Sequence, residues 1–247
     1  MSQKIAFITG GNRGLGFQTA LDLKEAGVKV VIGSRNPGQG EAAVEKLRAA
    51  GVDADFIPFD ITKPADHKAA LDYFTSKYGR LDILVNNAGI AAGGFPVTGP
   101  EHSVAEAPED LLRKVFDTNF FAPITLTRTL LPLLKKSPAG RIVNLSSILA
   151  SLTLHADPNS PIYHAKSFAY DASKTALNAF TIHLAYELRD TNIKVNSAHP
   201  GWVKTDMGGD QAPMELSEGG KTSAALSTLP ADGPNGGFFH MGKPLPW

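Results

Sequence analysis

The 247-residue chain has no cysteine. Disulfides, thiolate catalysis and cysteine-ligated metals are therefore excluded. It also lacks a net charge: 24 basic residues balance 24 acidic ones. Without a positive field there is nothing to draw a phosphate backbone or an anionic membrane, so neither nucleic acid nor membrane is expected as a partner. Long apolar runs are missing too. Ile5-Ala6-Phe7-Ile8 stops after four residues at Thr9-Gly10-Gly11, too short for a signal peptide or a membrane span. The expectation is a soluble, cytoplasmic protein. What the chain does have is 43% hydrophobic content, which suits one α/β domain over residues 1–247.

Apolar runs of strand length alternate with helix-length segments. The runs are Lys4 to Thr9, Val28 to Gly33, Asp55 to Phe59, Ile83 to Asn86, Arg141 to Leu145, Lys194 to Ser197 and, more weakly, Gly237 to His240. Most show little polar alternation, as in strands buried on both faces. Helical segments run from Gly14 to Ala26, Gly40 to Ala50, Pro64 to Tyr78, Pro108 to Lys136, Ala165 to Arg189 and Ser217 to Leu226. This alternation implies a doubly wound parallel sheet of about seven strands with helices on both faces. Residues 91–107, 151–163 and 201–213 are expected to be irregular. The tail from Pro230 is expected to wrap the surface, with Trp247 as an anchor.

Gly10, Gly14 and Gly16 stand between the first strand and the first helix, with Asn12, Arg13 and Leu15 among them. Glycine tolerates positive φ and lets backbone approach a phosphate, and the helix N-terminus offers free N–H donors. The placement predicts a dinucleotide site, although the spacing departs from G-x-G-x-x-G. At the end of the second strand an acidic residue would bind a ribose 2′-hydroxyl. Here Ser34-Arg35-Asn36 has none. Arg35, with Arg13, suits a 2′-phosphate and predicts NADP(H); otherwise Arg35 is a solvated surface residue. Asp60, followed by Ile61, can accept from the adenine amino group. Asn87-Ala88-Gly89 ends the fourth strand beside the cofactor's expected position. Asn86 is expected to tie strands together.

Tyr170-Asp-Ala-Ser-Lys174 carries the chemistry. Residues four apart share a helix face. A free phenol has a pKa of about 10, and a neighbouring ammonium is expected to pull it toward the working range. Ser147 ends the fifth strand, where its hydroxyl can hold a carbonyl oxygen. Ser146 is its rival, since alternation lets only one face the site. Asn119 lies in a helical pattern with Pro123 four residues on. That proline has no N–H to give, so a kink and a freed Asn119 carbonyl are expected.

In their order, Thr9-Gly10…Gly14-Leu15-Gly16, Asn86-Asn87-Ala88-Gly89, Asn119, Ser147, Tyr170…Lys174 and Pro200-Gly201 resemble the short-chain dehydrogenase/reductase family, over almost the entire chain. The NADPH-dependent carbonyl reductase branch looks nearest, with Phe120-Phe121 and the Gly233 to Phe238 ending adding to the likeness. The resemblance implies a Rossmann-type fold and metal-free hydride transfer between nicotinamide and a carbonyl or alcohol. It implies Tyr170 as general acid, Ser147 as its partner, and Lys174 on the nicotinamide ribose. It implies a water on the Asn119 carbonyl as a proton relay. Gly201 to Met207 resembles the cofactor-covering loop, with Pro200, Gly201, Val203 and Thr205 as contacts. The alternatives are an NADP-linked secondary alcohol dehydrogenase running oxidatively, and a nucleotide-sensing protein of the same fold. The latter class usually loses the tyrosine or lysine kept here.

Tyr163 resembles Tyr170 in position, but the residue four later is Ser167, which supplies no cation; Lys166 and His164 have the wrong spacing from it. His199 is expected to cap a strand end. Phe95, Leu149, Leu154, Tyr163, Trp202 and Met207 are candidate walls of a pocket for a hydrophobic ketone or aldehyde. Ser147 and Tyr170 are 23 positions apart, so relative to shorter family members the chain carries an insertion around Ser151 to Tyr163. In relatives the tyrosine helix packs on its symmetry mate. The insertion could block that contact, whereas small Ala172, Ala176 and Ala179 would allow it. Monomer and homodimer are both open, with tetramer behind.

Overall fold

The computed structural model describes residues 3–91, 93 and 99–247. Its strands are β1 Ile5–Thr9, β2 Lys29–Ser34, β3 Ala54–Pro58, β4 Ile83–Asn86, β5 Arg141–Leu145, β6 Lys194–Ala198, β7 Phe238–His240 and β8 Lys243–Pro244. They form one eight-stranded sheet in the order β3-β2-β1-β4-β5-β6-β7-β8. All pairings from β3 to β7 are parallel, and β8 folds back antiparallel on β7. The eighth strand exceeds the expected seven. It is two residues long and ends in proline, so it carries no strand pattern of its own.

Successive β1 residues face opposite sides of the sheet, as the period of two requires. Ile5 and Phe7 join one core cluster, Ala6 and Ile8 the other. The first cluster takes Ala70 and Phe74 from α3 Pro64–Tyr78, Leu126 and Leu130 from α5 Ala122–Leu134, and Leu184 from α7 Phe168–Glu187. The second takes Ala20 from α1 Gly14–Asp22, Val44 and Leu47 from α2 Pro37–Ala49, and Ala224 from α9 Lys221–Ser227. Helices thus cover both faces. Among the described residues no helix is long and apolar enough to cross a membrane.

Several expected elements differ. The helix expected from Pro108 to Lys136 is α4 Glu109–Phe116, one π-helical turn at Asp117–Phe121, and then α5. Pro123 has no N–H to give, and the ladder widens so that Ala122 N–H bonds Asp117 O, five residues back. Residues 151–163 are not wholly irregular. They contain α6 Leu152–Ala156, whose N-cap Ser151 accepts from Leu154 N–H at 3.1 Å. The last helical segment splits into α8 Leu216–Gly219 and α9, and α7 starts three residues later than expected, at Phe168.

The tail does wrap the surface. Arg141 is 2% exposed and donates to the carbonyls of Leu229 and Pro230. The Trp247 ring stacks on Phe238 with centroids 5.6 Å apart, and its carbonyl accepts from Thr153 N–H at 2.9 Å.

Strand order reverses at β1, which lies between β2 and β4. In such sheets the ligand crevice lies outside the carboxyl ends of the strands at this switch point. Gly10 follows β1 and Asn87 follows β4, and both sequence motifs therefore meet there.

Candidate active site

Gly10 has φ +62, and a Cβ on it would lie 3.3 Å from Ala88 Cα. A Cβ on Gly16 would come within 2.5 Å of Asn87 Nδ2 and 2.6 Å of the Gly10 carbonyl. The loop is closed against the end of β4 by Asn87, whose Nδ2 donates to Thr9 O at 2.7 Å and Gly10 O at 3.1 Å. Thr9 Oγ1 accepts from the N–H groups of Asn87 and Ala88, each at 3.0 Å. The Asn87 side chain thus supports the loop. Asn86 bridges strands and helix as expected, donating to Asn144 Oδ1 at 2.8 Å and Thr127 Oγ1 at 3.0 Å.

The α1 N-terminus suits an anion. Arg13 at the N-cap makes no side-chain cap bond and the first turn has no acidic residue, so its N–H donors and partial positive charge face outward. Gly14 has φ +54 with nothing within 4 Å of its missing Cβ. Leu15 packs on the core, and Asn12 donates to Gln39 Oε1 at 3.2 Å. Arg13 forms an exposed ion pair with Asp206 at 2.5 Å. Arg35 is exposed and, among the described residues, has no hydrogen bond or ion pair. Asp60 accepts from Thr62 N–H at 3.0 Å and Oγ1 at 2.8 Å. Burial opposes its ionisation, but Thr62, Arg35 and Lys63 outweigh that and lower its pKa. The Ile61 side chain is buried in the core and its carbonyl lies 2.7 Å from His67 Nε2.

At the carboxyl end of β5 the Ser147 hydroxyl acts on the Tyr170 phenol, with Lys174 one turn along α7 from it. Ser147 is 8% exposed, and its hydroxyl caps the following turn by accepting from Leu149 N–H at 3.2 Å. Ser146 is buried, its hydroxyl without a hydrogen-bond partner among the described residues. Lys174 Nζ donates to Leu145 O at 2.7 Å and lies 5.7 Å from the Tyr170 ring centroid.

The ammonium does not lower the phenol as expected. Burial pushes the Tyr170 phenol up to about 12; the Ser147 hydroxyl pulls it down and the Asp171 charge adds to the rise. Burial also pushes Lys174 down to about 8. Both groups sit where low polarity disfavours charge, and the ammonium's hydrogen bond goes to a backbone carbonyl, not to the phenol oxygen.

The π turn aims Asn119 inward. Its Oδ1 accepts from Ile90 N–H at 2.9 Å, and its Nδ2 donates to Ile90 O at 2.8 Å and Ser173 Oγ at 3.0 Å. Gly89 is squeezed between: a Cβ there would meet Asn119 Oδ1 at 3.2 Å and Lys174 Nζ at 3.3 Å. Gly201, after Pro200, has φ +97, and a Cβ there would collide with Met214 Sδ. Thr205 Oγ1 accepts from Gly208 N–H at 3.0 Å, and Val203, which is buried, bridges to Met214.

Of the pocket candidates, Leu149 is buried, Leu154 and Tyr163 are half-buried, and Trp202 and Met207 are exposed. Trp202 Nε1 donates to Gly208 O at 2.8 Å, which holds that loop. Phe95 lies outside the described residues. Tyr163 does have a cation: Lys166 Nζ sits 4.9 Å from its ring centroid. The segment is a series of turns, not a helix, so helical spacing did not apply. His199 is a tie, as expected. Its Nδ1 accepts from Ile148 N–H at 3.1 Å, and burial and then His240 push it down to about 3, so it stays neutral.

Sequence reasoning missed Thr9, the hub of the glycine loop, and His155, Lys166 and Asp171 beside Tyr170. Thr9 was legible in the Thr-Gly-Gly motif. The others carry no pattern, because they meet only when residues 151–166 fold back onto α7. A cavity of about 340 Å³ lined by Glu109, Leu112, Arg113, Phe116, Asp117 and Phe121 lies on the α4 face and contains none of the chemistry.

A family model described as short chain dehydrogenase matches residues 4–216. The chain is 33% identical to carbonyl reductase (NADPH) 1 of Mus musculus, covering 100% of this chain and 99% of the relative. The solved structure of carbonyl reductase Sniffer of D. melanogaster superposes with a TM-score of 0.84 at 30% identity, covering 100% of both chains. An NADPH-bound carbonyl reductase from chicken fatty liver gives a TM-score of 0.83 at 28% identity, again over 100% of both.

Proposed function

The chain belongs to the short-chain dehydrogenase family, and on that premise we propose that it is an NADPH-dependent carbonyl reductase acting on a ketone or aldehyde. What carries the reading is the meeting of Ser147, Tyr170 and Lys174 at the carboxyl end of β5, alongside a glycine loop built for a phosphate.

The residues suit the cofactor. Gly10, Gly14 and Gly16 with the α1 N-terminus would hold the pyrophosphate. Arg35 would take the 2′-phosphate, since Arg13 is paired with Asp206. Asp60 and Ile61 would hold the adenine; Asn87 to Gly89 would line the crevice. Lys174 would hold the nicotinamide ribose, and Pro200, Gly201, Val203 and Thr205 the far side. When bound, NADPH supplies hydride to the carbonyl carbon.

Ser147 holds the substrate oxygen. Tyr170 keeps its proton at neutral pH because burial holds its pKa high, and releases it to the alkoxide as that stronger base develops. Pro123, four residues after Asn119, has no N–H to give, and we read a water on the Asn119 carbonyl feeding Lys174. Leu149, Leu154, Tyr163, Trp202 and Met207 would give the pocket an apolar wall. We further read residues 1–247 as one domain working in the cytoplasm. The partly exposed Ala172, Ala176 and Ala179 of α7 keep a homodimer open beside a monomer, which light scattering after size exclusion separates.

The test is NADPH consumption with aryl ketones, diketones, quinones and aldehydes, run beside Tyr170→Phe. Turnover is expected with a subset of these and lost in the variant. Near wild-type turnover in Tyr170→Phe overturns the mechanism.

A further inference from the structure

One buried carboxylate beside the reaction centre has no part in the mechanism above. Asp171 follows Tyr170 directly and is 8% exposed. Its Oδ2 accepts from Ser167 N–H at 2.8 Å, across the first turn of α7. The same oxygen lies 3.4 Å from His155 Nε2. Its Oδ1 is buried without a hydrogen-bond partner among the described residues. An ionised carboxylate with an unused oxygen is costly to bury, so Asp171 calls for an explanation.

His155 lies on α6, in the segment longer than in short family members. Lys166 Nζ is 3.0 Å from its Nδ1. An ammonium only donates, so Nδ1 accepts and the ring proton sits on Nε2. Nε2–H then donates to Leu149 O at 2.9 Å while facing Asp171. Burial and Lys166 hold the ring neutral. Thr175 Oγ1, one turn along α7, donates to the next carbonyl, Ala150 O, at 2.9 Å. Thr175 therefore ties α7 to the 148–150 turn, whose N-cap is Ser147, and His155 of α6 ties the same turn while packed against Asp171.

We propose that His155 and Asp171 form a positioning pair for the Tyr170 proton. His155 holds the Ser147 turn through Leu149 O while packed against Asp171 in the first turn of α7, and Asp171 sets a negative charge on the residue next to Tyr170. The inference rests on Tyr170 being the proton donor. The charged and titratable groups facing Asp171 are Lys166 and His155 from the 151–166 segment and Tyr170 on its own helix; His102, from the turn at residues 100–102, reaches only Ser167 Oγ, at 2.9 Å. Burial raises Asp171 to about 7, so it carries its charge on the alkaline side of neutrality, where the phenol loses its proton.

The experiment measures the pH dependence of kcat and KM for carbonyl reduction in wild type, Asp171→Asn, His155→Gln, His155→Leu and Tyr170→Phe, with circular dichroism and Tm for each. In Asp171→Asn the alkaline limb of kcat should move to lower pH by about half a unit or more, because a like charge that disfavoured the phenolate is gone. His155→Leu should lower kcat by about tenfold with KM changed less, the scale of one hydrogen bond. His155→Gln, which restores a donor to Leu149 O, should recover most of that loss. A merely structural role would move none of the limbs. An alkaline limb in a folded Asp171→Asn that coincides with wild type overturns the proposal, as does wild-type kcat in His155→Leu. If His155→Leu fails to fold, the Asp171→Asn limb decides. Inactive Tyr170→Phe beside an unmoved Asp171→Asn sinks this inference alone; active Tyr170→Phe sinks the functional reading beneath it.

Discussion

The two ends of the site are built from opposite materials. The nucleotide end is made by what is missing: Gly10, Gly14 and Gly16 leave backbone donors and open space, and a single Cβ at Gly16 would collide with Asn87 and the Gly10 carbonyl. The reaction end is made by what is enclosed: buried Ser147, Lys174 and Asp171 and half-buried Tyr170 bring hydroxyl, ammonium, carboxylate and phenol into surroundings that disfavour charge. An anion site needs only free N–H groups and room. A proton donor needs its affinity set, and that takes several side chains at fixed separation.

The sharpest way to break this contrast is Tyr170→Phe. It removes one oxygen and should lower kcat by about 10²–10⁴, while cofactor affinity and Tm stay near wild type. Stopped-flow reduction and cofactor titration read both. Equal losses in the two would mean that the ends are not separable.

Next in size is Arg35→Asp at the nucleotide end. One lost charge-assisted contact should shift the NADPH to NADH ratio of kcat/KM by about 10–100-fold toward NADH. Unchanged preference would return Arg35 to the solvated surface.

Gly16→Ala probes room rather than charge. The overpacked methyl should cost about 1–3 kcal/mol and lower Tm by several degrees, with weaker cofactor binding. Thermal melts and fluorescence titration test this, and a neutral result would mean that Asn87 yields easily.

The smallest expected effect is one of opposite pH slopes. On β3, Asp55 meets Lys77 at 2.8 Å and Lys29 at 3.1 Å. Burial opposes its ionisation, but the two lysines outweigh it and hold its pKa near 2. Its contribution is therefore present above about pH 4 and lost as pH falls from 4 to 2. Asp171 has the reverse sign. With its folded pKa raised to about 7, its contribution is full below about pH 4 and is lost between 4 and 7. Melts from pH 2 to 8 should show Asp55→Asn least stable relative to wild type near neutrality. Asp171→Asn should gain on wild type as pH rises from 4 to 7 and hold that gain above it. Parallel curves for the two variants would remove the electrostatic half of the comparison.

How much was legible follows from the range of each contact. Gly10 to Gly16 and Tyr170 to Lys174 act within one loop or one helical turn, and spacing alone revealed them. The Asn119 distortion was legible because Pro123 acts on the same helix, but its form, a π turn, and the side-chain bonds of Asn119 to Ile90 and Ser173 were not. The β8 hairpin, the Arg13–Asp206 pair and the His155–Asp171 contact join residues with no local pattern. The sign of the Tyr170 shift was misread for the same reason: spacing showed the neighbouring cation, while burial, which outweighs it, is a property of the folded chain.

By itself, then, the amino-acid order determined a parallel sheet with covered faces, a glycine loop at its first strand and a phenol one turn from an ammonium. Each follows from periodicity or from the conformational freedom of single residues. Only the tertiary structure decided how much charge those groups bear, which oxygen of the two serines meets the phenol, and what the segment between Ser147 and Tyr170 holds in place. Those are matters of desolvation and of contacts between distant residues, and both come into being only when the chain closes around them.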